Sequence, residues 1–114
     1  MKNDYPQNFL RLKDKYPDLI SAYESAGVQA RKAGPLDGKT SHLVQLAACV
    51  ALRSEGGVHS HVRRLLQAGS TPEEICHSLV LLISTAGFPA VAAAFSWAQD
   101  IFDMENRTQP TFRV

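Results

Sequence analysis

Apolar residues recur along this chain at intervals of three and four positions, the spacing of one face of an α-helix. Prolines and glycines separate the periodic stretches, and no stretch alternates apolar and polar residues as a half-buried strand does. The pattern predicts an all-α fold, a compact bundle of about six helices in one domain over residues 1–104. The predicted helices cover residues 6–15, 17–33, 38–53, 58–68, 72–86 and 90–104, and residues 105–114 are predicted to form a polar tail.

Capping residues mark several of the predicted helix ends. Asp37 stands where a carboxylate can cap the third helix. Thr71 and Glu74 form a capping box at the start of the fifth helix, with a proline at its first position. Gly56 and Gly57 are predicted to break the chain between the third and fourth helices.

The third helix is apolar on nearly all sides, since only Gln45 is polar between Leu43 and Leu52. Apolar residues also dominate positions 79–83 and 91–95. A chain of this size buries only about two thirds of its unfolded surface, and a helix apolar all round must be covered by a core or another subunit. The chain has more apolar helix surface than one subunit can bury, which predicts a homo-oligomer.

Composition and charge exclude several classes of function. The net charge is +1, which is not the basic field that nucleic-acid binding needs. No apolar run reaches the roughly 18 residues of a membrane span, and residues 1–6 lack the apolar stretch of a signal peptide. Cys49 and Cys76 lie in apolar stretches and are expected to be buried free thiols. We expect a cytoplasmic protein that binds neither nucleic acid nor membrane.

Four segments carry a recognisable series of residues: GPLDGKT at 34–40, LRSEGGVHSHVRR at 52–64, AGSTPEEI at 68–75 and AGFPA at 86–90. The series resembles the carboxymuconolactone decarboxylase family, which also contains the alkyl hydroperoxidase D proteins. The resemblance covers roughly residues 16–102. It implies the alkyl hydroperoxidase D-like helical fold and assembly into trimers or hexamers.

Redox members of this family place Cys-x-x-Cys-x-x-x-His in the second of these segments. Counting back from His61, the cysteine positions are Ser54 and Gly57, so the histidine is kept and both thiols are absent. Peroxide reduction by this fold needs a thiolate at a helix N-terminus and a resolving thiol. An alkyl hydroperoxidase D-like antioxidant, with peroxiredoxin-type activity, is therefore a disfavoured alternative. Ser54 itself would be a nucleophile only beside an aligned base.

His61 is the first candidate for a catalytic residue. On a helix it falls at the border between the apolar and polar faces, with Arg64 beside it. Gly57 lies one turn earlier on the same face, so a vacancy is expected next to the imidazole. The alternative is that His61 makes only a structural hydrogen bond.

The resemblance adds His42, Arg53 and Glu55. In the redox members a glutamate twelve positions before the first cysteine relays protons, and the same count back from Ser54 leads to His42. Arg53 and Glu55 resemble the charged pair that thiol-free members carry in this loop, and an arginine can hold a carboxylate in fork geometry. A buried, hydrogen-bonded His42 and a solvated Arg53–Glu55 pair are the alternatives.

Two other histidines are given local roles. His59 falls near the other border of the helix and is expected at the surface, and two residues apart on one helix it does not readily share a metal with His61. His77 is expected to be solvated or packed locally. Decarboxylase members often carry a histidine and an aromatic residue in the fifth helix. Leu81 and Thr85 stand at the matching positions here, so the resemblance specifies the fold better than the reaction.

These observations favour a thiol-free family member with a small cleft at a subunit interface. His61 is the predicted acid–base group, assisted by His42, for proton transfer, lactone opening or decarboxylation of a small carboxylate-bearing compound. The residues predicted to bind the substrate are Arg53, Glu55, Gly57 and Arg64. No metal or organic cofactor is implied. The remaining alternative is a non-enzymatic oligomeric binding or scaffold protein that has lost its site.

Overall fold

The computed structural model of the protein describes residues 7–108. All regular structure within that range is α-helical, which confirms the predicted fold class. The helices are α1 (Gln7–Lys15), α2 (Pro17–Lys32), α3 (Gly38–Ala51), α4 (Glu55–Gln67), α5 (Pro72–Val80), α6 (Ile83–Ala86) and α7 (Phe88–Thr108). Six of them match the predicted helices, and α6 is a single turn of four residues. None of these helices combines the length and apolar character that crossing a membrane requires.

The core lies around α4 and α7, with α3 and α5 packed against this pair. Val58, Val62 and Leu65 bury one face of α4 completely, at the spacing of successive helical turns. Ala94 and Ala98 are fully buried on α7, and their small side chains allow neighbouring helices to approach closely. Each large buried side chain contributes about 1.5–3 kcal/mol through removal of apolar surface from water. The core therefore fixes α4, which carries most of the candidate residues.

Helices α1 and α2 form a hairpin that packs mainly on itself. Ile20 is its one buried residue among those described, and Leu19 and Tyr23 are 64% and 67% exposed. The hairpin leaves a cleft between itself and the pair α3–α4. It is thus the part of the fold least supported by the monomer's own core.

The corner between α3 and α4 differs from the prediction. Gly56 and Gly57 do not break the chain but lie in the first turn of α4. The break falls three residues before Gly56, at Arg53, whose φ of 55° turns the chain after Leu52, the C-cap of α3. Ser54 then caps α4 by accepting a hydrogen bond from the Gly57 N–H at 3.0 Å. A side-chain cap and a left-handed residue thus set this boundary.

The predicted caps of α3 and α5 are confirmed. Asp37 caps α3 by accepting a hydrogen bond from the Thr40 N–H at 2.7 Å. Thr71 and Glu74 form the predicted capping box at the start of α5. The predicted fifth helix, however, turns at residues 81–82 and becomes α5 and α6.

The last helix is longer than predicted at both ends. It begins at Phe88, directly after Gly87, whose φ of 96° makes the turn that separates it from α6. Pro89 fits into its first turn, where a backbone N–H has no intrahelical partner. The helix continues beyond Met104 to Thr108, so the first residues of the predicted tail are helical. Residues 109–114 lie outside the described part of the chain, as does Pro6 at the predicted start of the first helix.

Candidate active site

A cleft of about 970 Å³ opens between the α1–α2 hairpin and the pair α3–α4. Its hairpin wall is mostly apolar but carries Lys13, Glu24 and Arg31, and its other wall carries the remaining polar and ionisable groups. The groups from α3, α4 and the corner between them include Gln45, Cys49, Ser54, Gly57, Ser60, His61 and Arg64. Such a combination of apolar lining and a few convergent polar groups is typical of a small-molecule site.

His61 lines this cleft and contacts His42 behind it. The Nδ1 atoms of the two rings lie 3.1 Å apart, within hydrogen-bonding distance, and the rings are tilted by 44°. His61 belongs to α4 and His42 to the first turns of α3, so packing of these two helices sets the pair. Because one Nδ1 must donate and the other accept, the contact couples the tautomers of the two imidazoles.

Both histidines are held in the neutral form at neutral pH. Burial, acting together with the charges of His42, Arg64 and Arg31, lowers the pKa of His61 to about 4. Burial also lowers the pKa of His42, with Arg31 and Arg64 acting in the same direction. A neutral imidazole in a cleft accepts protons and donates hydrogen bonds, and it carries no charge that would repel the arginines.

Three cationic side chains line the cleft, of which Lys13 pairs with Glu24 at 3.5 Å and the other two are arginines. Arg64 was predicted beside His61 and does line the cleft. Arg31, on α2, was not singled out from the sequence, yet it lines the cleft from the opposite wall. Its Nη1 atom lies 3.6 Å from the place where a Cβ on Gly27 would stand, so its side chain runs back over this glycine. The sequence signal that could have identified Arg31 is Gly27, which lies one helical turn before it and leaves room for its side chain.

Gln45 is a second residue that the sequence reasoning did not assign to the site. It lines the cleft, and its Oε1 atom is buried with no hydrogen-bond partner among the described residues. An unpaired buried acceptor costs about 1–3 kcal/mol, so a donor from a bound molecule or water is expected there. The sequence signal that could have identified Gln45 is that it is the one polar residue between Leu43 and Leu52.

The expected vacancy at Gly57 is not present. A Cβ on this glycine would stand 2.5 Å from the Cys49 Sγ atom and 2.8 Å from the Ser54 Oγ atom. The thiol of Cys49, delivered from α3, therefore occupies the space that a side chain at position 57 would need. Burial raises the pKa of that thiol, which keeps it protonated and weakly nucleophilic. Ser54 lines the cleft as well, but its hydroxyl serves as the α4 cap.

Arg53 and Glu55 do not reach the cleft. Arg53 is exposed at the α3–α4 corner, where its left-handed backbone turns the chain, and it is not among the lining residues. Glu55 is also exposed and lies near His59 and Asp100, on the α7 side of α4. Of the two arginines predicted to bind a substrate, Arg64 lines the cleft and Arg53 does not.

The remaining candidates lie outside the cleft. His59, expected to be a surface histidine, hydrogen-bonds to Asp100 at 2.9 Å, and its side chain is 19% exposed. His77, Leu81 and Thr85 are exposed and do not line the cleft. Cys76, like Cys49, is a free and partly buried thiol, and burial raises its pKa.

Comparisons with known proteins agree with this fold. A model of the carboxymuconolactone decarboxylase family matches residues 16–100. An uncharacterized protein of Haemophilus influenzae is 34% identical over 55 residues, which make up 48% of this chain and 49% of that protein. The chain thus matches about half the length of that relative.

Two solved structures share the architecture. One is a carboxymuconolactone decarboxylase family protein from Legionella pneumophila in its apo form. It superimposes with a TM-score of 0.71 at 26% identity, covering 86% of this chain and 87% of that one. The other is a proposed carboxymuconolactone decarboxylase from Burkholderia xenovorans LB400. Its TM-score is 0.66 at 23% identity, covering 93% of this chain and 85% of that one, and this likeness supports the fold alone.

Proposed function

The chain belongs to the carboxymuconolactone decarboxylase family, and on this premise we propose that it catalyses lyase-type acid–base chemistry on a small carboxylate-bearing compound. Lactone opening or decarboxylation is the proposed reaction. His61 is the proposed acid–base residue, and His42 is the proposed positioning residue. Arg64 and Arg31 are proposed to hold the substrate carboxylate.

The observation that carries this proposal is a neutral imidazole held between two arginines in one cleft. His61 lines the cleft with Arg31 and Arg64, and both arginine charges lower its pKa. An anionic substrate would offset these charges and raise the basicity of His61 at the moment it binds. The two arginines would therefore attract a carboxylate, and the pKa of His61 would rise when that carboxylate binds.

The proton has a defined path in this arrangement. When the His61 Nδ1–H donates to the His42 Nδ1, the Nε2 atom of His61 is left to accept a proton. In a lactone opening by elimination, His61 removes a proton from carbon and the electron pair expels the ring oxygen as a carboxylate. In a decarboxylation, carbon dioxide leaves and the resulting carbanion receives a proton that the Nε2 atom of His61 has first taken from solvent water, which leaves His61 neutral again. Neither step requires an oxidant or a reductant.

Gln45 supports the proposal from the same wall of the cleft. Its buried Oε1 atom lacks a partner among the described residues and would accept a hydrogen bond from a substrate hydroxyl. A hydroxylated or enolic carboxylate would satisfy both this oxygen and the arginines.

The direct test is a turnover screen of the purified protein against small lactones and keto acids, followed by NMR. We expect at least one compound to be converted, with conversion abolished by His61→Gln. Saturable binding of these anions without conversion by the native protein would instead support the alternative of a binding protein. Absence of both binding and conversion across the panel would contradict the proposal and support the scaffold alternative.

Hydroperoxide reduction is disfavoured by the same site. Position 57 carries no thiol, and the Cys49 thiol that fills its space has a raised pKa. Peroxidase activity needs the thiolate form and a resolving thiol. Hydroperoxide consumption that depends on Cys49 or Cys76, with turnover by a reducing partner, would overturn this judgement.

We also propose that the chain assembles into a homo-oligomer, a trimer or hexamer. The exposed apolar residues Tyr23, Leu52, Leu81 and Phe88, each more than 60% accessible, support burial against further copies. The weakly supported α1–α2 hairpin would be held by the same contacts. Analytical ultracentrifugation at low micromolar concentration should give an oligomer, and a folded monomer would refute the proposal.

A further inference from the structure

A second group of ionisable side chains lies on α4, pointing away from the cleft. Glu55 and His59 are one helical turn apart, and Asp100 approaches them from α7. One ligand atom of each residue lies within 4.8 Å of the other two, and the His59 Nε2 and Asp100 Oδ2 atoms are 2.9 Å apart. Since successive helical residues rotate by about 100°, His59 and His61 serve opposite sides of α4.

We propose that Glu55, His59 and Asp100 bind a divalent transition-metal ion of the zinc class. Bonds of about 2.0–2.2 Å to nitrogen and carboxylate oxygen place neighbouring ligand atoms roughly 3–3.5 Å apart. The His59–Asp100 spacing already falls close to that value, and a Glu55 carboxylate oxygen lies within 4.8 Å of both ligand atoms. One imidazole with two carboxylates suits zinc and its neighbours better than calcium or magnesium, which prefer oxygen ligands alone.

An ion pair between His59 and Asp100 does not account for the whole cluster. It uses one carboxylate and leaves Glu55 as a second anion close to the same atoms. The His59 side chain is 19% exposed, whereas that of Asp100 is 52% exposed, so the imidazole forms the floor of the group and the carboxylates its rim. A cation seated there would neutralise both carboxylates and keep a water-filled position on the solvent side.

The bound ion would act on structure and not as a participant in the cleft chemistry. It would tie the first turn of α4, which contains Glu55, to the middle of α7. The same turn carries Gly56 and Gly57, which line the cleft on the other side. Metal binding would therefore stabilise the helix end on which the proposed active site is built.

The test is a titration of the full chain with zinc at neutral pH, by calorimetry, and with cobalt, by visible absorption. We expect one ion per chain and an increase in the melting temperature. His59→Gln and Asp100→Asn should each weaken zinc binding by more than the roughly 10- to 100-fold cost of losing an outer-shell partner. The matched controls His77→Gln and Glu73→Gln, at exposed positions of α5, should bind as the native protein does. Circular dichroism establishes that each variant is folded.

Several results would overturn the proposal. One is binding that survives His59→Gln but is lost in His42→Gln or His61→Gln, which would place the ion at the histidine pair of the cleft. Another is a cobalt spectrum with thiolate charge-transfer bands, which would assign the ligands to Cys49 or Cys76. A third is the absence of saturable binding by the native chain up to about 100 times the protein concentration. None of these outcomes depends on catalytic activity, so the proposed metal site is tested independently of the proposed function.

Discussion

The Nδ1 atoms of His42 and His61 lie 3.1 Å apart, so these two imidazoles share one hydrogen bond across the α3–α4 interface. Only His61 lines the cleft. A variant of either histidine loses the hydrogen bond, but only a variant of His61 also loses the group that faces a bound molecule. This asymmetry separates a structural from a catalytic role.

We therefore predict that His61→Gln and His42→Gln lower the free energy of unfolding by similar amounts, about 1 kcal/mol for one lost hydrogen bond. Turnover of any substrate found in the screen should fall by ~10²-fold or more in His61→Gln, as expected for loss of an acid–base group. It should fall less in His42→Gln. Chemical denaturation and steady-state kinetics measure the two effects, with exposed His77→Gln as the control. Equal losses of turnover in both variants would contradict the division of roles.

The second prediction concerns the pH dependence of stability. The pKa of His61 is about 4 in the folded chain and about 6.5 when unfolded, so the unfolded state binds more protons between these values. Stability from this group is fully present above pH 6.5 and is lost as the pH falls from 6.5 toward 4. The lowered carboxylate pKa values of Asp37 and Glu74 act only at the acid end of this window, below about pH 4.5.

Melting temperatures measured from pH 4.5 to 8 should therefore rise with pH in the native protein and rise less steeply in His61→Gln. The His77→Gln control should keep the native slope. A native-like slope in His61→Gln would show that the neutral state of His61 is not the source of the dependence.

Local patterns in the sequence were enough to predict the helices and most of their capping residues. Asp37, Thr71 and Glu74 act within four residues of their partners, and such short-range hydrogen bonds can be read from the chain. The α3–α4 corner could not be read in this way. There the Ser54 cap and the left-handed backbone of Arg53 set the start of α4, so that Gly56 and Gly57 lie within the helix although glycine normally disfavours helices.

The composition of the cleft could be predicted only in part. His61 and Arg64 share α4, so helical spacing alone placed them together. Arg31 comes from α2, and Cys49 enters the space beside Gly57 from α3. Contacts between helices distant in sequence depend on tertiary packing, which periodicity does not specify.

Gly57 provides the third prediction, because the Cys49 thiol fills the space where a side chain would stand. Gly57→Ala should destabilise the chain by about 1–3 kcal/mol through overpacking, although alanine is normally the better helix former. Combining it with Cys49→Ala should recover part of that loss, a coupling that a double-mutant cycle by chemical denaturation measures. Gly27→Ala is the control, since its Cβ meets only ordinary contacts. Additive effects of the two substitutions would contradict the observed packing.

The fourth prediction identifies which arginines belong to the site. The charges of Arg64 and Arg31, in that order, lower the pKa of His61, whereas Arg53 is exposed outside the cleft. Replacing either of the first two by glutamine removes a repulsion against the imidazolium, so the pKa of His61 should rise, more in Arg64→Gln than in Arg31→Gln. NMR titration of the imidazole C–H signals gives these values directly, with the His61 signal assigned from His61→Gln. Arg53→Gln should leave the His61 titration unchanged, and the same two arginine variants should weaken binding of any carboxylate found in the screen. A shift of the His61 pKa by Arg53→Gln but not by Arg31→Gln would return the anion-binding role to the α3–α4 corner and refute the cleft as described.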